Sequence, residues 1–198
     1  MNSDFTHLYF IFSQGKNKRA YHIPVELIMT TNLPINGKAA LLLAPLVSST
    51  CSLWFSQDQH LFFSTFTQPA LRARSNALLP PFWRSFFKKG LVRVVGLLAI
   101  TTWTSVGSIY LHGNQLRDAG SYWWYAGAAA MGVSHLFFVP AVAPKIQAMS
   151  EGKEKEDAKG KNVRAQDEWV SVNWVRMLTV DTAAWVCAMV AVAKTVKV

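Results

Sequence analysis

An all-α, membrane-integral four-helix bundle is the fold this sequence predicts, and three observations carry the prediction. Four stretches, Ala39 to Ser56, Val94 to Leu111, Ala119 to Pro144 and Val170 to Ala193, carry almost no charge. A hydrocarbon core of roughly 30 Å takes about 20 residues at helical rise, so each stretch is of spanning length or close to it. Hydrophobic residues make up 51% of the 198 positions and charged ones 16%, whereas a soluble domain carries about a quarter charged. Lipid offers no partner to a free backbone amide, so spans are helices or barrel strands, and strands would be half as long with alternating polarity.

These spans divide the chain into a polar N-terminal leader, 1–37, and a transmembrane domain, 38–198. The leader holds one short apolar run, Leu8 to Phe12, soon followed by Lys16, Lys18 and Arg19. No small-residue cleavage site follows a proper apolar core, so the first spanning helix is expected to be the insertion signal. Pro34 and Gly37 punctuate its entry.

The first span is expected over 39–67, stopping before Pro69. The connection Pro69 to Arg93 is basic, and its Pro80-Pro81-Phe82-Trp83 reads as an interfacial elbow with Trp83 as a headgroup-level anchor. The second span is expected over 91–111, and the third over 122–143, opening with the aromatic belt Tyr122-Trp123-Trp124-Tyr125. Ala128, Gly132 and His135 share one face of that helix; small residues let helices approach, so His135 is expected to face the bundle. Glu151 to Glu168, with five basic and six acidic residues, reads as a solvated loop before the fourth span, 170–193. The loops after the first and third spans hold six Lys or Arg each, more than the other segments, which favours both in the cytosol and both termini across the membrane.

The net charge of +9 does not point to nucleic acid, because the basic residues fall in loops beside apolar spans rather than along one polar face. Cys51 and Cys187 lie within apolar segments and suggest neither a disulfide framework nor a metal site. No His pair has metal-ligand spacing on a helix, and no Gly-rich phosphate loop or dinucleotide fingerprint occurs. Any chemistry is therefore expected to need no metal and no cofactor.

Candidate chemistry rests on ionisable residues in or beside the spans, which are costly in hydrocarbon unless they serve a purpose. Gln57, His60, Ser64 and Thr67 form one stripe, in which Gln57 can fix the tautomer of His60 as a general base. The plainer reading of that stripe is a polar collar where the helix leaves the membrane. Asp58 is turned roughly 200° from His60 and cannot pair with it on a regular helix. In the fourth span Trp169, Asn173, Arg176 and Val180 share a face. Asp181 is turned roughly 140° from Arg176, so each is expected to need a partner elsewhere, with Asp58 one candidate for Arg176. Asn173 and Arg176 can bind a carbonyl or phenolate oxygen by charge-assisted hydrogen bonds. Against that, Arg176 can snorkel to the interface while Asn173 and His135 serve only helix packing.

Three elements then resemble one family. Trp83-Arg84-Ser85-Phe86-Phe87-Lys88-Lys89-Gly90, the Tyr122 to Ala130 opening, and Trp169-Val170-Ser171-Val172-Asn173-Trp174-Val175-Arg176 are similar to the anthrone oxygenase family, small four-helix membrane proteins of fungal polyketide gene clusters. The likeness covers about residues 40–193 and rests most on Trp-x-x-x-Asn-x-x-Arg. The chain departs where that family usually has Pro-Thr-Asn, offering Pro144-Lys145-Ile146, and its leader is longer.

The resemblance implies a membrane monooxygenase that oxidises an anthrone to a quinone with O2 alone. It implies His60 or His135 as base, Arg176 with Asn173 as oxyanion donors, and Trp54, Trp103, Trp124 and Trp174 as an aromatic wall. Asp58 stays a candidate in the catalytic group and Asp181 in the substrate-binding one. The implied partners are a lipophilic aromatic small molecule, O2 and the membrane, with room for association with other pathway enzymes and none for nucleic acid. Two rivals remain open: another tailoring reaction (cyclase, isomerase or hydroxylase) on a lipophilic polyketide or terpenoid, and a non-catalytic scaffold or transport accessory in which Asp58, Arg176 and Asp181 are structural charges.

Overall fold

A computed structural model describes residues 36–152 and 160–196, and every regular element among them is helical. The leader with its Leu8 to Phe12 run, and the middle of the mixed-charge loop at 153–159, lie outside the described residues. Helix α1, Gly37–Ser64, tightens into a 3-10 turn at Thr65–Thr67. Helix α2, Arg72–Asp118, bends at His112, where φ is −130°. Helix α3, Tyr122–Ser134, passes through a 3-10 turn, His135–Phe138, into α4, Val139–Ser150. Helix α5, Lys161–Arg176, passes through a π turn, Met177–Asp181, into α6, Thr182–Val196.

The result is four rods, each long and apolar enough to cross a membrane: Gly37–Thr67, Arg72–Asp118, Tyr122–Ser150 and Lys161–Val196. Neighbours in the ring are α1 with α2, α2 with α3, α3 with α6, and α6 with α1, while α4 and α5 complete the opposite end. Short links between successive rods make them antiparallel, the usual up-down arrangement of such bundles.

Helix α2 starts well before residue 91, and the expected elbow is part of it: Pro80 and Pro81 lie inside the helix. A proline leaves the carbonyl four residues earlier without a donor, which helices tolerate when a neighbour supplies one. Here Asn162 Nδ2 donates to the Asn76 carbonyl at 2.9 Å, and the Asn76 side chain accepts the Val163 amide at 3.3 Å, tying the start of α5 to α2. Pro45 is accommodated in the same way. The Leu41 carbonyl it frees accepts from Ser108 Oγ at 3.4 Å. The helix α5 begins at Lys161, so the second half of the expected loop is also helical.

Trp83 is a correction to the anchor expectation. It is 1% exposed, packs edge-on against Phe63, Phe86 and Trp169, and donates from Nε1 to Gln166 Oε1 at 2.8 Å. Such aromatic pairs contribute about 0.5–1.5 kcal/mol each beyond simple burial. This aromatic cluster, with Leu79, Met149 and Val163, fills the end of the bundle near the α1–α2 link. The other end is filled by a second apolar cluster of Leu42, Leu116, Tyr125 and Ala191, and between the two clusters α3 packs through small residues. A Cβ on Gly132 would lie 2.9 Å from Thr102 Oγ1, and one on Gly127 3.0 Å from Cys187 Sγ, so side chains of α2 and α6 pack directly on the α3 backbone.

Candidate active site

Helix α1 turns a face of Ser48, Ser49, Ser56, Gln59 and Phe63 toward its neighbours. On α5 the Trp169, Asn173, Arg176 face is buried, as its spacing predicts. On the third rod His135 follows Ala128 and Gly132 inward and is 6% exposed. These three faces converge between the aromatic cluster and the second apolar cluster around Tyr125.

The convergence point is a closed polar network. His135 Nδ1 and Asp181 Oδ1 are 2.9 Å apart. The other carboxylate oxygen of Asp181 accepts from Ser56 Oγ at 2.9 Å and from Arg176 Nε at 3.3 Å. Arg176 Nη2 donates to Ser56 Oγ at 3.0 Å and to Asn173 Oδ1 at 2.7 Å, while Asn173 Nδ2 donates to the Ser56 carbonyl at 3.3 Å. Every member is buried, which is the condition under which such pairs are strong when complete and costly when broken.

The Arg176–Asp181 pairing corrects the expectation that the two could not meet on one helix. That expectation assumed regular α geometry. In a π turn the backbone bonds residues five apart, which stacks them on one face as residues four apart stack in an α-helix. The Thr182 amide bonds the Met177 carbonyl in this pattern, and Thr182 Oγ1 reaches the same oxygen at 2.7 Å. Such turns are frequent at functional sites.

Beside the network lies a cavity of about 160 Å³. His135, Arg176 and Gln59 supply its polar wall; Trp83, Phe86, Trp169, Val142 and Ile146 supply its apolar one. Phe87, Leu91 and Val95 of α2 and Leu136 and Val139 of the third rod line it as well and are exposed, so it opens on the apolar flank between those rods. His135 uses Nδ1 on Asp181, leaving Nε2 as the nitrogen for a ligand. Gln59 is 6% exposed, and its buried Oε1 has no hydrogen-bond partner among the described residues.

Other residues singled out in the sequence lie elsewhere. His60 is half-buried and tilts against Trp174 with ring centroids 4.4 Å apart; its buried Nδ1 has no partner among the described residues, and Gln57 is exposed. Asp58 lines a shallow outer groove with Trp54 and Arg93 and does not partner Arg176. Trp103 is 70% exposed, Trp124 also faces outward, and neither lines the cavity. Asn173 reaches Arg176 and α1, so both ends of its amide are engaged within the protein. Among the described residues no three His, Cys, Asp or Glu side chains converge to hold a metal ion.

Sequence reasoning reads Ser56 and Gln59 only as part of the polar patch Ser56-Gln57-Asp58-Gln59-His60 and gives neither a role in the site. A signal was there: Ser48, Ser52 and Ser56 recur every four residues, and small residues mark the packed face of a membrane helix.

The anthrone oxygenase family matches residues 83–187, a stretch that includes His135, Asn173, Arg176 and Asp181. The chain belongs to the anthrone oxygenase family. Within it, the chain is 31% identical over 150 residues to the epoxidase gkaX of Penicillium citrinum, covering 75% of this chain and 90% of that one. It is 29% identical over 152 residues to the probable epoxidase scpX of Mollisia scopiformis, covering 77% and 93%. It is 27% identical over 152 residues to the epoxidase pydX of an Acremonium species, covering 77% and 91%. No solved structure matches the chain at a significant level. The family match begins at Trp83, so α1, which carries Ser56 and Gln59 of this anthrone oxygenase family member, lies ahead of it.

Proposed function

We propose that this chain is a membrane-bound oxygenase that starts its reaction by taking a proton from a lipophilic aromatic substrate and then lets the resulting anion react with O2. The observation that carries the reading is the 2.9 Å contact of His135 Nδ1 with Asp181, which orients the imidazole so that Nε2 can act in an apolar cavity. Asp181 fixes the ring and stabilises the imidazolium that forms, the role a buried carboxylate takes behind a catalytic His. A positioned general base supplies about 10²–10⁴ in rate. Arg176 faces the developing oxyanion with a guanidinium already held in place by three partners, so little reorganisation is needed.

For an anthrone, loss of the benzylic proton gives an electron-rich enolate whose oxygen faces Arg176. One electron passes to O2, the radical pair joins at the benzylic carbon, and the peroxide loses water to leave a carbonyl. Overall a CH2 group and O2 become a C=O group and H2O. A dry pocket shields the intermediate. The substrate enters sideways from the lipid through the opening between α2 and the third rod.

The relatives named as epoxidases favour a second reading with the same first step. A hydroquinone-type substrate loses a proton and O2 adds to a ring carbon. One oxygen atom stays as an epoxide across the ring double bond, and the other leaves as water with the two hydroxyl hydrogens.

Membranes bearing the protein separate these readings when given an anthrone or a naphthohydroquinone under 18O2, against membranes without it. Labelled quinone from the anthrone supports the first reading, and labelled epoxide the second. Enhanced O2 uptake with neither substrate overturns both and favours a scaffold. Unchanged turnover in His135→Ala would overturn the assigned base.

A further inference from the structure

Gln59 has no part in the network, yet it lies between that network and the aromatic cluster. It is three residues past Ser56 and four before Phe63 on the buried face of α1. It contributes to the wall of the cavity that also takes in His135 and Arg176. It is 6% exposed, and among the described residues its Oε1 is without a donor. Buried polar atoms are nearly always hydrogen-bonded, and an orphan acceptor is the costly exception that calls for a cause. Neighbouring donors do not supply one. The hydrogen bonds of Arg176 Nε and Nη2 and of Ser56 Oγ go to one another, to Asp181 and to Asn173, and that of the Trp83 indole goes to Gln166.

We propose that Gln59 positions the substrate by accepting a hydrogen bond from an aromatic hydroxyl, so that the cavity selects phenols over their ethers and over unsubstituted rings. The inference rests on the proposed oxygenase reading for the location of the site, and adds the class of substrate it takes. With Arg176 at the oxyanion, His135 at the acidic proton and Gln59 at a separate hydroxyl, a planar ring system is held at three points, which fixes its rotation within the cavity. Sites built to hydrogen-bond a substrate hydroxyl reject analogues lacking it strongly, because the buried partner is then left unpaired.

Binding of 2-hydroxyanthraquinone and 2-methoxyanthraquinone to the purified protein in micelles, followed by fluorescence quenching, tests this without requiring turnover. The native protein is expected to bind the hydroxyl compound at least about tenfold more tightly than the ether, and Gln59→Leu is expected to bind the two within about twofold. Gln59→Met, closer in shape, serves if the leucine variant does not fold. Both variants are expected to unfold no more readily than the native protein, since each removes an orphan acceptor; a residue needed for structure would lower stability. Equal binding of the two probes by the native protein, or a hydroxyl preference that survives in Gln59→Met, overturns the proposal. The oxygenase reading is read separately. Loss of turnover in His135→Ala with Gln59→Met still preferring the hydroxyl sinks only the role of Gln59. A hydroxyl preference abolished by Gln59→Met, with no O2 uptake on any substrate, sinks only the oxygenase reading.

Discussion

His135 and His60 lie on different rods of one apolar bundle, and their surroundings differ in almost every respect. His135 is buried, held by a carboxylate that is itself held by Ser56 and Arg176, and lines a cavity. His60 leans on Trp174, its Nδ1 has no partner among the described residues, and Gln57 does not reach it. Both were equal candidates as bases when judged by helical spacing alone. The difference shows what spacing measures: it reports which residues of one helix share a face, whereas a site forms where faces of several helices meet.

The largest expected effect follows directly. His135→Ala should lower turnover by about 10²–10⁴, the contribution of a positioned general base. His60→Ala should leave kcat nearly unchanged, since His60 does not line the cavity that holds His135 and Arg176. O2 consumption by matched membrane preparations checks both. A loss in the His60 variant equal to that in the His135 variant would break the distinction.

The two aspartates extend the comparison to stability. Asp181→Asn leaves the Arg176 guanidinium buried without a counter-charge, and breaking a buried pair in this way costs about 3–5 kcal/mol. Asp58 lines an outer groove, so Asp58→Asn should stay within about 0.5 kcal/mol of the native protein. Unfolding in micelles measures each. Equal stabilities of the two variants would mean that the network contributes nothing to the fold.

How much of this was legible in advance depended on which physics each element obeys. The spans and the inward turn of His135 could be read, because hydropathy and the Ala128-Gly132-His135 spacing act within one helix. The helical start of α2 could not, because Pro80 and Pro81 signal a break unless one knows that Asn162 serves the freed carbonyl from the far end of the chain. Arg176 and Asp181 appeared unable to pair because a π turn has no strong sequence signature. Ser56 and Gln59 could not be given a role for a related reason. The partners of Ser56 come from another rod, and Gln59 Oε1 has none among the described residues.

The tryptophans offer a milder test of the same contrast. Trp83→Phe keeps the packing of the aromatic cluster but leaves Gln166 Oε1 buried without its donor, a cost of about 1–3 kcal/mol. Trp103→Phe, on the outer surface, should cost less than about 0.5 kcal/mol. Unfolding midpoints would again separate them, and the ranking would fail if Trp103 proved the more sensitive.

The smallest expected effect concerns the route into the site. Val95 and Leu136 line the cavity from opposite rods and are exposed on the apolar flank. Enlarging either side chain narrows the opening without touching His135 or Arg176, so Val95→Trp and Leu136→Trp should raise KM severalfold while leaving kcat nearly unchanged. Loss of access weakens substrate capture, whereas loss of a base slows the step after capture. A fall in kcat with unchanged KM would place these residues in the reacting geometry. No effect on either constant would mean that the substrate enters elsewhere, leaving the flank between α2 and the third rod as ordinary lipid-facing surface.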